Sequence, residues 1–119
     1  MPKTEVLIYA DEGSAPLLPW MDALPVKVRD KLIVRIERLA EVGHELRRPE
    51  ADFLRDGIHE LRTRFQNVNY RILYFFHEQR AVLSHGCTKE DVVPPKEIDT
   101  AITHMQQFKK SPTQHTHEE

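Results

Sequence analysis

The sequence has little of several things: one cysteine, four glycines and one tryptophan in 119 residues. A lone cysteine excludes a disulfide framework within the chain and fits a reducing cytosol, so the expected location is cytoplasmic. Four scattered glycines exclude a glycine-rich phosphate loop. No apolar run approaches about 18 residues, so no membrane-spanning helix is expected. No signal-peptide core follows Met1-Pro2-Lys3-Thr4-Glu5. Excess positive charge is missing too. Lys plus Arg number 17 and Asp plus Glu 19, a formal net charge of −2, which excludes a generic polyanion binder. Seven histidines are present, yet no pair has zinc spacing beside cysteines or acids, so neither a metal nor a cofactor is expected.

What is there is one domain's worth of pattern. The sequence predicts an α+β domain over residues 1–110, followed by a flexible polar tail, 111–119. Thr4 to Ala10 reads as a strand ending in the turn cluster Asp11-Glu12-Gly13-Ser14. Leu17 to Leu24 reads as a short helix stopped by Pro25. From Pro25 to about Leu46, the residues Val28, Leu32, Ile36 and Leu39 repeat at helical period, with Lys27, Lys31, Arg35 and Arg38 largely on the other face. Phe53 and Leu54 fall in a connection. Three strands follow: Ile58–Phe65, Tyr70–Phe76, apolar on both faces and therefore central, and Ala81 to about Thr88. Pro95 opens a last helix reaching about Lys110. The expected fold is a mostly antiparallel four-stranded sheet. A helical hairpin covers one face, the other face is partly open, and a C-terminal helix closes the chain.

Charge is uneven. Residues 27–80 carry twelve bases and nine acids, the one segment in which bases prevail. Strand alternation puts Glu60, Arg62 and Arg64 on one face. A hairpin loop centred on Asn67-Val68 sets Arg64 opposite Arg71 and Arg62 opposite Leu73. Opposed like charges destabilise a sheet unless an anion lies between them. A phosphate site is one reading, since guanidinium groups grip phosphate in a fork; a solvated arginine face is the other. His85 is a candidate acid or base, or an ordinary strand histidine. Gly86 marks a bulge or a close approach. Lys89, at the strand end, either meets substrate phosphate or is a surface lysine. Cys87 reads as a small hydrophobe.

Gly57-Ile58-His59-Glu60-Leu61-Arg62, then Asn69-Tyr70-Arg71-Ile72-Leu73-Tyr74-Phe75-Phe76, then Leu83-Ser84-His85-Gly86, resembles the phage-derived branch of the RelE/ParE toxin superfamily that includes HigB-type toxins. The helix after Pro95, with Glu97-Ile98 and Ala101, fits the same pattern, and the resemblance spans roughly residues 4–109. It implies a RelE-like toxin of a type II toxin–antitoxin pair, cleaving mRNA on the ribosome without a metal and neutralised by an antitoxin, expected to be a helix-turn-helix protein. It implies Arg62, Arg64, Arg71 and Lys89 for RNA phosphate. Arg71 and Arg62 are the leading catalytic positions, with His85, Tyr74 or Glu60 for proton transfer. The alternative is a non-enzymatic binding protein, either a ParE-like gyrase inhibitor or a degenerate toxin that only binds its antitoxin. The chain departs from the pattern where Cys87 replaces an aromatic residue and Glu90-Asp91 stand where bases are usual.

Overall fold

The computed structural model describes residues 3–89 and 92–118, with the side chain of Lys89 left aside. Glu90 and Asp91, which stand where bases are usual in the family that the sequence resembles, lie outside the described residues. The elements run β1 (Glu5–Ile8), α1 (Leu17–Asp22), α2 (Val26–Val42), β2 (Ala51–Arg55), β3 (Ile58–Phe65), β4 (Val68–His77), β5 (Arg80–Lys89) and α3 (Pro95–Lys110). Among the described residues no helix is long and apolar enough to cross a membrane.

The α+β class stands, but the sheet has five strands rather than four, in the order β1-β5-β4-β3-β2. The added strand is β2, which the sequence reading left as a connection. Asp52 interrupts its apolar character, and it pairs antiparallel with β3 at one edge. The sheet is mixed because β1 runs parallel to β5 at the other edge. Parallel neighbours need a long crossover, and here α1, α2 and three strands supply it. The doubly apolar β4 is the central strand.

The β3–β4 turn is Gln66-Asn67, both with positive φ, and it joins Phe65 to Val68. Positive φ at both central residues matches the right-handed twist of the flanking strands. This places the turn one residue earlier than expected. Arg62 faces Arg71, Arg64 faces Asn69, and Glu60 faces Leu73. Each pairing shifts by two residues, so every side chain keeps its predicted face while the partners change.

Each face of the sheet carries a core. One buries Leu61, Ile72, Tyr74 and Leu83 under Leu17, Met21, Val28, Leu32 and Leu39 of α1 and α2. The other buries Ile58, Leu73, Phe75, Val82 and Cys87 under Ile98, Ala101 and Phe108 of α3. The face expected to be partly open is therefore capped over its middle by α3. Helix α2 ends at Gly43, with φ 63° and ψ −130°, where a Cβ would lie 2.4 Å from Thr4 Oγ1. The residues after α3 do not extend away from the domain. The Thr113–His115 turn is followed by a bridge from Thr116 to Tyr9, and Ala10 N–H donates to the His115 carbonyl.

Gly86 is a close approach, while the bulge lies two residues earlier at Ser84. Pairing passes from Leu73–His85 to Tyr74–Leu83, leaving Ser84 as the extra residue. A Cβ on Gly86 would sit 2.1 Å from Cε3 of Trp20 on α1. Gly86→Ala is therefore expected to cost about 1–3 kcal/mol by overpacking. The midpoint of denaturant unfolding, followed by far-ultraviolet circular dichroism, reads this directly. Trp20→Leu in the Gly86→Ala background recovers part of the loss.

Candidate functional site

The bulge at Ser84 and the two tight hairpins align three rows across β3, β4 and β5 on the α3 side of the sheet. Glu60 pairs with Leu73 and Leu73 with His85; Arg62 pairs with Arg71 and Arg71 with Cys87. Arg64 pairs with Asn69, and Asn69 with the backbone of Lys89. The middle row opposes two arginines. Glu60, diagonal to Arg71 and two residues from Arg62, resolves the conflict. Its Oε1 lies 2.7 Å from Arg71 Nε, and its Oε2 3.9 Å from Arg62 Nε.

Glu60 and Arg71 are each 5% exposed, among the few buried charged residues of the fold. Burial pushes the Glu60 carboxyl above its ordinary value, although Arg71 and Arg62 pull the other way. The group is therefore a more basic carboxylate than a surface glutamate, placed against two cations. Arg62 is the open member, with its side chain 29% exposed.

Above this row lies a groove of about 380 Å³, lined by Arg35, Arg48, Pro49, Arg62, Thr63, Arg64, Asn69 and Arg71. A recess of about 340 Å³ shares Arg48, Arg62, Asn69 and Arg71 with it and adds Asp52, Leu54, Glu60, Val92 and Val93. Two of the five arginines escaped the sequence reading. Arg35, assigned to the outer face of α2, turns toward β3 and its Nε donates to the Arg62 carbonyl at 2.8 Å. Arg48 precedes the unrecognised β2 and is forked onto Asp52 at 3.0 and 2.8 Å. The Arg48…Asp52 spacing was the available signal, legible only once β2 is known to be a strand. Glu50 fixes the wall. It takes hydrogen bonds from Arg38 at 3.0 and 3.3 Å, lies 3.5 Å from Arg35, and its carbonyl accepts from Arg62 N–H. The hydrogen bond from Arg38 holds the Glu50 carboxyl below its usual range.

The structure thus brings together Glu60, Arg62, Arg64 and Arg71 and separates two other candidates. Tyr74 points to the opposite face, 1% exposed in the core under α2, and burial pushes its phenol up. It has no path to the groove. His85 shares the face but lies beyond Leu73 and is committed elsewhere. Its Nε2 is 3.0 Å from Glu97 Oε1 on α3, and its Nδ1 2.9 Å from Ser84 Oγ. Ser84 Oγ also lies 2.7 Å from His104 Nδ1. With Glu97 ionised and both imidazoles neutral, one proton order satisfies the chain: His104 donates to Ser84, Ser84 to His85, and His85 to Glu97. Among the described residues no group of three or more His, Cys, Asp or Glu could hold a metal ion. The side chain of Lys89, the remaining candidate, lies outside the described residues.

The profile of the Phage derived protein Gp49-like (DUF891) family matches residues 19–106, most of the chain. The chain belongs to this family of phage-derived, RelE-like and toxin-like proteins. A search of curated proteins gives no match.

Two measurements check this geometry. Arg71→Ala strands a buried carboxylate and is expected to cost about 3–5 kcal/mol, whereas Glu60→Leu combined with Arg71→Met recovers most of that loss. Denaturant midpoints of the wild type, Arg71→Ala and the double variant decide it. For the histidine chain, burial and neighbouring His85 push His104 down to about 4. A histidine whose pKa is lowered by folding binds its proton more readily when unfolded. Stability should therefore fall as pH drops from about 6.5 toward 4, with added proton uptake on unfolding. His104→Phe should flatten that slope.

Proposed function

We propose that this protein is the toxin of a type II toxin–antitoxin pair, a HigB-type, ribosome-dependent mRNA endonuclease that works in the cytoplasm without a metal. The observation that carries this reading is the Glu60 carboxylate set between Arg71 and Arg62 in the recess that adjoins an arginine-lined groove. Phosphodiester cleavage by the neighbouring ribose needs a proton acceptor for the 2′-hydroxyl and cations for the charge that grows on phosphorus. Burial makes Glu60 a stronger base, and Arg71 and Arg62 offset its negative charge so that it does not repel the phosphate.

In the proposed step Glu60 takes the 2′-hydroxyl proton and the 2′-oxygen forms a bond to phosphorus. The bond from phosphorus to the 5′-oxygen breaks, and that oxygen takes a proton from water at the groove mouth. The products are a 2′,3′-cyclic phosphate and a 5′-hydroxyl, and Glu60 returns its proton to solvent. Arg62, the more open cation, holds the phosphate oxygens, and Arg71 holds Glu60 in place. Arg35, Arg48 and Arg64 grip flanking phosphates. A locally basic groove on an acidic chain suits a target delivered by the ribosome better than free nucleic acid. A helix-turn-helix protein encoded beside the toxin would act as its antitoxin.

Induction of the chain alone is expected to arrest growth with mRNA cut to 5′-hydroxyl ends, and co-expression of the adjacent reading frame to restore growth. On programmed ribosomes, Glu60→Gln and Arg62→Ala should keep the fold and each lower cleavage by about 10²–10³-fold, in EDTA as in its absence. Growth arrest with DNA damage and intact mRNA would replace this reading with gyrase inhibition.

A further inference from the structure

On the other face of the sheet, at the β2 edge, an aromatic cluster extends outward from the core and lies apart from the groove. Phe53 of β2 pairs with His59 of β3, and His59 pairs with Tyr74. The Phe53 and His59 rings meet edge-on at 5.1 Å and 72°, and His59 lies nearly parallel over Tyr74 at 5.2 Å and 23°. Beside them His44 stacks on Phe76 at 3.6 Å and 21°. The cluster is graded outward, from buried Tyr74 through half-buried His59 and Phe76 to exposed His44 and a Phe53 that is 56% exposed.

Phe53 belongs to neither core. An exposed phenyl on an outer strand gains little from burial and invites edge-to-edge association, which proteins ordinarily suppress with charge at such positions. Its neighbours indicate what covers it. Arg47 is held by a 2.7 Å bond from its Nη1 to the His44 carbonyl, and its charge acts on both His59 and Tyr74. The next residue, Arg48, lines the phosphate groove. Successive arginines thus serve the two sides of β2, one at the rings and one at the groove. Aromatic faces beside cations are how proteins hold single-stranded nucleic acid without reading its sequence.

The geometry points to a nucleobase-stacking platform formed by Phe53, His59 and His44, which takes an unstacked base of a single-stranded RNA that leaves the groove past Arg48 and turns over the β2 edge toward Arg47. The assignment of RNA as ligand rests on the function proposed for the groove. The platform itself rests on the rings, so the two can fail separately.

The test is binding of a short single-stranded RNA whose 2′-hydroxyl at the cleavage position is removed, with the fluorescent base 2-aminopurine at successive positions. The wild-type chain should quench the base at one flanking position. Phe53→Ala, at an exposed site that leaves the thermal midpoint unchanged, should weaken binding by about 5- to 100-fold and abolish that quench without altering the salt dependence. An abasic residue at the same position should bind the wild type as weakly as the intact RNA binds Phe53→Ala, and Phe53→Trp should restore both readouts. Arg62→Ala should instead reduce the salt slope. Equal binding by wild type and Phe53→Ala overturns the platform even if Arg62→Ala is weak. Weak Phe53→Ala with normal Arg62→Ala keeps the platform and removes the groove. No binding by the wild type overturns both.

Discussion

Two arginines placed directly opposite one another in a sheet cannot both be accommodated without a negative charge. Arg62 and Arg71 are in that position, and Glu60 supplies the charge from the neighbouring row, 2.7 Å from the buried arginine and 3.9 Å from the open one. Much of the molecule serves this arrangement. The turn at Gln66-Asn67 sets the register that opposes the arginines. Glu50 anchors both α2 and the backbone of Arg62. Five arginines line the groove and three acids, Glu50, Asp52 and Glu60, partner them, so the local balance stays positive. Net charge and local charge thus have opposite signs, and the groove retains attraction for phosphate while the whole chain has none.

The α3 side of the sheet is divided between two kinds of polar group. At the β2–β3 end the charged row opens to solvent through the groove. Toward β1, the chain Glu97–His85–Ser84–His104 is enclosed, and Tyr9 stacks on His104 at 4.0 Å. Ser84 reaches both histidines because it is the extra residue of a bulge, which re-aims a side chain without breaking the strand. Leu73 and Phe75 separate the two systems. His85 therefore fastens α3 to the sheet, and the proton chemistry of the groove falls to Glu60.

Much of this was legible in sequence. Ile58–Phe65 and Pro95–Lys110 begin and end where β-branched runs, a turn pair and a proline place them. The shared face of Glu60, Arg62, Arg64 and Arg71 followed from period-2 alternation and survived a shift of the turn, because the register moved by two. What sequence could not supply were pairings set at long range. Strand β2 carries Asp52 as its second residue and is stabilised by β3 and by the fork from Arg48, so its own residues read as a connection. Its absence hid Arg48, which lines both the groove and the recess beside it. Arg35 looked like one of several solvent-facing cations, and only the crossing of α2 over β3 turns it inward. Tyr74 was named because it stands in a recognisable motif, although the alternation that puts Arg71 on the groove face puts Tyr74, three residues on in the same strand, on the other.

The proposed chemistry depends on Glu60 being a buried, basic carboxylate that shares its arginines with a phosphate. The most direct measurement is a carbon-13 NMR titration of the Glu60 carboxyl, in the free protein and with a single-stranded RNA that lacks the reactive 2′-hydroxyl. The predicted midpoint lies above the ordinary glutamate value in the free protein and rises further in the complex, as the phosphate competes for Arg62 and Arg71. A midpoint at or below the ordinary value, unmoved by the RNA, would contradict it.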